Sequence, residues 1–185
     1  MKEAVEISFS QPLAIRDGSN MEQKSNKYYC VCGVVMIENK VLLVRHTYGM
    51  AKNKLLIPGG FCKDKEMPEI AVSREIYEET GVKAEAVSVI GIQFKPEQWC
   101  VVFNMKYIDG IPTSDMKENS EVKLLTIDDA LKEDALTNMT RQILTSIRDN
   151  TALELKDSGY LAPNCKRDEY KLFGNVAVSH IDFRY

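Results

Sequence analysis

The segment PEIAVSREIYEETG, residues 68–81, leaves this chain few options. Proline at its start suits the first turn of a helix, where its missing N–H would be unpaired anyway. Glycine at its end suits the left-handed conformation that stops a helix. The segment therefore predicts a helix running to Thr80, with Gly81 as its stop. At about 100° per residue, Glu75, Glu78 and Glu79 then share an arc of about 100°, the i, i+3, i+4 neighbour pattern. Ala71 falls in the same arc, so this face is expected to be open and lined by a small residue. Ile70 and Tyr77 fall on the opposite side and are expected to enter the core, with Ile76 on the flank. Three like charges at this spacing destabilise a helix unless something positive sits among them. Arg74 is the nearest candidate. Mg²⁺ fits better, because it is a hard cation that takes carboxylate oxygens and keeps waters for a phosphate substrate. On spacing alone, a solvated acidic face with ordinary ion pairs competes with the metal reading.

The flanking sequence reads as strands with helices inserted among them. KYYCVCGVVMI and KVLLVRHT, separated by ENK, read as a hairpin. NKLLIP reads as a short strand ending at Pro58, and GGFCKDKEM as a loop. VKAEAVSVIGIQF and QWCVVFNMKYI read as strands on either side of a turn at Pro96, and EVKLLTI as another strand. DDALK reads as a short helix. TNMTRQILTSIRDN reads as a longer one with an apolar stripe of Met139, Ile143, Leu144 and Ile147. YKLFGNVAVSHIDFRY is a last strand or a segment packed over the core. Strands with helices inserted among them predict an α/β domain with a mixed sheet. Its expected span is 27–150, after a polar extension over 1–26 and before a tail over 151–185 that packs on the same domain.

Composition narrows the partner. A length of 185 residues suits one domain. A net charge of −3 argues against nucleic acid or an anionic membrane surface, since both attract basic proteins. No apolar run approaches the ~20 residues of a membrane helix. The first residues lack an apolar stretch of the secretory kind. Cys30, Cys32, Cys62, Cys100 and Cys165 are an odd number without a C-x-x-C, and read as reduced thiols of a cytoplasmic protein. Cys30 and Cys32 share one face of a strand, but no second pair completes a tetrahedral metal site.

Around the predicted helix, Gly60, Glu66, Arg74, Glu75, Ile76, Glu78, Glu79, Gly81 and Val82 fit the pattern G-x5-E-x7-R-E-U-x-E-E-x-G-U without departure, U being a bulky aliphatic residue. This is the Nudix box, and the chain resembles a Nudix hydrolase over roughly residues 28–148. The resemblance implies an α/β/α sandwich around a mixed β-sheet, with the box as a loop–helix–loop. It implies hydrolysis of the diphosphate linkage of a nucleoside diphosphate derivative, dependent on Mg²⁺ with Mn²⁺ as the alternative ion. Carried to matching positions, Glu75, Glu78 and Glu79 would be metal ligands together with the carbonyl of Gly59. Glu78 and Glu79 would also serve catalysis directly, and Glu66 and Arg74 would form a structural ion pair. The family often adds a general base outside the box. KENSEVKLLTIDDAL resembles the segment that carries it, with Glu121 preferred to Glu118 because it starts a strand.

Substrate signals are thinner. Pro96 lies 14 residues past Val82, close to the position of a proline in ADP-ribose-type members of the family. That favours ADP-ribose or a nucleotide sugar over a nucleoside triphosphate or an oxidised nucleotide. Trp99 and Phe103 alternate onto one face of a strand, and Phe94 precedes the turn. Trp99 and Phe94 are the candidates to stack a nucleobase. Arg45 is a candidate phosphate contact, with a surface salt bridge as the equal alternative. His46 and His180 show no ligand spacing and are assigned no role. A homodimer is a family-level expectation. The main rival to a hydrolase is a Nudix-fold sensor that binds a nucleotide without cleaving it; the intact box argues against that rival.

Overall fold

The computed structural model describes residues 28–152, 154–159, 166, 168–169 and 171–174. The expected extension over 1–26, Cys165, His180 and most of the last predicted segment lie outside the described residues. Strand β1 (Tyr28–Ile37) turns into β2 (Lys40–His46) through Glu38 and Asn39, whose φ values of 46° and 64° are both positive. Such a two-residue turn matches the right-handed twist of the strands it joins. After a single 3₁₀ turn come β3 (Leu55–Leu56) and β4 (Gly59–Phe61). Helix α1 (Pro68–Thr80) leads into the long hairpin of β5 (Lys83–Phe94) and β6 (Gln98–Asp109), which closes through Pro96. Then follow β7 (Asn119–Leu125), α2 (Ile127–Lys132), α3 (Asn138–Arg148), β8 (Leu155–Asp157) and β9 (Phe173–Gly174).

The strands form one mixed sheet in the order β3-β2-β1-β6-β5-β8-β9, with β4 on β1 and β7 on β2. β1 runs parallel to β6 and antiparallel to β2 and β4. Residues of β1 alternate between two cores, as the period of a strand requires. Val31 and Val35 join α1 on one face, while Cys32 and Val34 join α2 and α3 on the other. Layers of helix, sheet and helix result, the α/β/α sandwich. Thr126 and Thr137 cap α2 and α3 by accepting the backbone N–H groups of Asp129 and Thr140. Leu144 is fully buried, and Met139, Ile143 and Ile147 pack around it.

Two expectations need correction. GGF is not loop: β4 pairs with β1 at Cys30–Phe61, Val31–Gly60 and Cys32–Gly59. The buried face of α1 is also not the one expected. Ile70 and Tyr77 are 59% and 53% exposed, whereas Ala71, Val72 and Ile76 are fully buried. The helix has turned its acidic side partly inward, with Glu79 and Thr80 in the buried stripe. The cause is space. The branched side chains of Val72 and Ile76 seat against β1 where Gly33 leaves room; a Cβ on Gly33 would come 2.8 Å from Ile76 Cδ1. The bulk of Tyr77 would hold the helix away.

Candidate active site

Rotating α1 this way sets its carboxylates against the backbone of β4. Glu75 lies over Gly60, where a Cβ would come within 2.5 Å of the carboxylate. Glu79 Oε2 accepts the backbone N–H of Gly59 at 2.9 Å. Glu78 is half-exposed. One helix edge thus brings together the three acids and the glycine pair.

Arg74 organises the front of this edge. Its Nε and Nη2 each donate to Glu66 at 2.8 Å, a fork-to-fork pair. Its Nη1 donates to Glu75 at 2.7 Å and Glu78 at 2.9 Å, and Nη2 also reaches the Phe61 carbonyl at 3.1 Å. The Lys63 backbone N–H donates to Glu66 at 2.9 Å, tying the loop before α1 to the helix. The hydrogen bonds from Arg74 hold the Glu66 carboxyl down at about 2, and the same bonds push the guanidinium further up. Burial raises the Glu75 carboxyl, though Arg74 opposes the shift.

At the other end of the edge sits Glu79, with a side chain 3% exposed. Burial pushes its carboxyl up, against the opposing pull of His46 and the Gly59 N–H. Its Oε1 has no hydrogen-bond partner, nor does His46 Nε2, 3.5 Å away. Asn119, cross-strand neighbour of His46, donates from Nδ2 to the Glu79 backbone carbonyl at 2.8 Å, leaving its own Oδ1 unpartnered. Tyr48 stacks on His46 with ring centroids 5.2 Å apart and donates its hydroxyl to Glu118 at 3.0 Å. Burial first and Glu118 second raise that phenol to about 12. The Glu118 charge also reaches Glu79.

The other expected residues fall into two places. Trp99 and Phe94 meet edge-to-face at 5.2 Å, and Tyr29 meets Trp99 at 6.2 Å. They line a largely apolar cavity of about 620 Å³ whose rim includes Lys63 and Glu66. Lys63 Nζ lies 3.7 Å from Glu78, so this rim abuts the acidic edge. Phe103 is buried core. Arg45 and Glu121 stand opposite each other on β2 and β7, joined by a 2.7 Å ion pair, and Arg45 also donates to the Asn53 carbonyl. They stand on strands apart from Trp99. His46, Asn119, Tyr48 and Lys63 were not singled out as site residues from sequence. His46 carries no spacing signal toward α1; only the folded sheet brings β2 against Glu79.

Among the described residues no three His, Cys, Asp or Glu side chains stand gathered closely enough to hold a metal ion. The acids nonetheless suit a hard cation. They offer carboxylate oxygens on one edge, and the buried Glu79 Oε1 accepts no hydrogen bond, with His46 Nε2 its neighbour at 3.5 Å.

An acidic helix edge laid against a glycine strand, between two helical layers on one mixed sheet, places the molecule in the Nudix fold class. The NUDIX domain family model matches residues 29–146, and the chain belongs to the Nudix hydrolase family. Members of that family generally need a divalent metal and act on small nucleotide substrates. An ADP-ribose pyrophosphatase of Methanocaldococcus jannaschii is 37% identical over 68 residues, covering 37% of this chain and 40% of that relative. The NUDIX hydrolase structure from Nitrosomonas europaea superposes with a TM-score of 0.62 at 23% identity, covering 68% of this chain and 72% of that one. An ADP-ribose pyrophosphatase from Streptococcus suis superposes with a TM-score of 0.53 at 21% identity, covering 65% and 91%.

Proposed function

We propose that this protein is a divalent-cation-dependent pyrophosphohydrolase acting on a nucleoside diphosphate derivative of the ADP-ribose or nucleotide-sugar type. The observation that carries this reading is Glu79, a buried carboxylate fixed by the Gly59 N–H on one oxygen and without a hydrogen bond on the other, which faces His46 Nε2 at 3.5 Å. Glu75, Glu78, Glu79 and the Gly59 carbonyl would hold the cation, Mg²⁺ or Mn²⁺. When bound, the cation supplies positive charge to the phosphate oxygens and polarises the attacking water.

The protein's own share is positioning and electrostatics. Arg74 pairs with Glu75 and Glu78 while clamping the loop through Glu66. Trp99 and Phe94 offer ring faces and edges to a nucleobase in the apolar cavity, and Lys63 at its rim stands where a diphosphate would leave the base and approach Glu78. Of the two downstream acids, Glu121 pairs with Arg45 and Glu118 accepts from Tyr48, but the charge of Glu118 alone also bears on Glu79. The base role therefore sits better on Glu118 than on Glu121. Support for the substrate class comes from the archaeal relative's name and from Pro96, which turns the chain between Phe94 and Trp99.

The test is incubation with ADP-ribose, nucleotide sugars, dinucleoside polyphosphates, NADH and oxidised nucleotides, each with Mg²⁺, Mn²⁺ or EDTA. We expect cation-dependent cleavage of one of the first two classes. Glu78→Gln should keep the fold, since Glu78 is half-exposed, and lose most turnover. Tight nucleotide binding without turnover under any cation would establish the sensor instead.

A further inference from the structure

We infer that His46 contributes its Nε2 as a nitrogen ligand to the same cation that Glu79 binds through Oε1, making this a mixed nitrogen–oxygen site. The inference rests on the cation-dependent reading given above. Two buried polar atoms, Nε2 of His46 and Oε1 of Glu79, face each other at 3.5 Å and neither has a hydrogen-bond partner. Buried polar groups are ordinarily hydrogen-bonded, and an ion pair stretched to 3.5 Å with no hydrogen bond on either atom leaves a place for a third body between them. The separation is long for a hydrogen bond, whose usual limit for N–H···O is about 3.2 Å. Two cis ligands of an octahedral ion, with bonds of about 2.1 Å, sit about 3.0 Å apart, so the pair would close by about half an ångström on one ion.

The imidazole is also held for the task. The His46 backbone N–H donates to Lys54 and its carbonyl accepts from Asn53, fixing the strand end. The register between β2 and β7 shifts between Arg45 and His46, with Ser120 as the extra residue opposite. Such a bulge re-aims a side chain. Tyr48 lies nearly flat against the ring at an interplanar angle of 21°, and Glu118 holds Tyr48. The groups facing His46 are therefore Glu79 from α1, Asn119 from β7 and Tyr48 from its own strand's end. Carboxylates alone suit Mg²⁺, whereas an added imidazole shifts preference toward first-row transition ions. Mn²⁺, at home with both donor types, is the apt probe.

The experiment binds Mn²⁺ alone to the full chain and records its electron spin-echo modulation. Depletion of the free Mn²⁺ signal reports binding, and ¹⁴N modulation reports a directly bound imidazole. The expected result is ¹⁴N modulation in the wild type, converted to a ¹⁵N pattern by ¹⁵N-histidine labelling. It should be kept in His180→Gln and lost in His46→Gln, with Mn²⁺ binding weakened about tenfold and Mg²⁺ binding little changed. Should His46→Gln fail to fold by circular dichroism, the labelled wild type and His180→Gln decide the matter. Bound Mn²⁺ without nitrogen modulation, as when a water bridges His46 to Glu79, overturns the inference and leaves the carboxylate site standing. Modulation that persists in His46→Gln or vanishes in His180→Gln overturns it too. A chain that binds no Mn²⁺ at all sinks both the inference and the cation-dependent reading beneath it.

Discussion

The two ends of the acidic edge of α1 give their carboxylates different partners: burial raises Glu75 and Glu79 alike, but only the front has a guanidinium. At the front, one guanidinium answers Glu66, Glu75 and Glu78, and Glu66 is held well below the ordinary carboxylate range. At the back, Glu79 is more deeply buried, has one oxygen without a hydrogen bond and is pushed up by desolvation. The front is built for stability. The back retains a cost that a well-packed protein would otherwise remove, and strain of that kind belongs where a ligand completes the structure.

The largest test of this contrast is Glu79→Gln. Turnover should fall by about 10²- to 10³-fold, as when one positioned electrostatic group is removed. The cation-free protein should meanwhile melt no lower than wild type, because the variant discards an ionised carboxylate that burial disfavours. A drop in melting temperature in EDTA would mean that Glu79 is a structural residue.

Arg74→Ala attacks the other end. It leaves Glu66 and Glu75 partly buried without their counter-charge, a loss of about 3 kcal/mol. For a domain of this size that is a fall of roughly 6–12 °C in melting temperature. A change below the precision of a thermal melt would break the picture of a structural front.

A smaller effect separates Glu118 from Glu121. Glu118→Gln should lower kcat by about 10²-fold if Glu118 is the general base. Glu121→Gln should lower it by less than about tenfold, acting through Arg45 alone. The reverse ranking would return the base role to Glu121. The smallest effect is one of pH. The Glu66 carboxyl lies at about 2 against an ordinary 4.5. A depressed carboxyl stabilises the fold above its unfolded value, and that share is lost as pH falls from 4.5 toward about 2. Comparing denaturant midpoints of wild type and Glu66→Gln across that range, the gap should narrow as the acid side is approached. A gap independent of pH would show that Arg74 does not hold Glu66.

Local rules carried much of this molecule. Pro68 and Gly81 bounded α1 because helix ends depend on a few backbone groups. The β1–β2 hairpin was legible because alternation and a polar turn occur together. The spacing of the glutamates alone left a solvated face beside a metal site, and the resemblance carried by Gly60, Glu66 and Arg74 with them favoured the metal site. What stayed hidden depends on partners distant in sequence. The wheel of α1 placed its acids on one arc, yet the sheet at Gly33 decided which arc turned inward, so Ile70 and Tyr77 were misplaced. Glycines have little preference for strands, so β4 becomes visible only as a partner of β1. His46 meets Glu79 only after β2 has docked against α1, and no local pattern announces that meeting.

The ladder between β1 and β6 has a consequence for how the chain acquires its shape. β1 takes Gln98 opposite Tyr28 and Met105 opposite Val35, so the centre of the sheet waits for a strand synthesised after α1 and far from β1 in sequence. Such distant parallel pairing is paid for in loop entropy before it returns any contact, which makes for slow folding. The Glu79 backbone carbonyl gains its side-chain donor only when Asn119 and its strand arrive. A nascent chain halted before Asn119 would carry the entire acidic helix and both glycines, and still have no site.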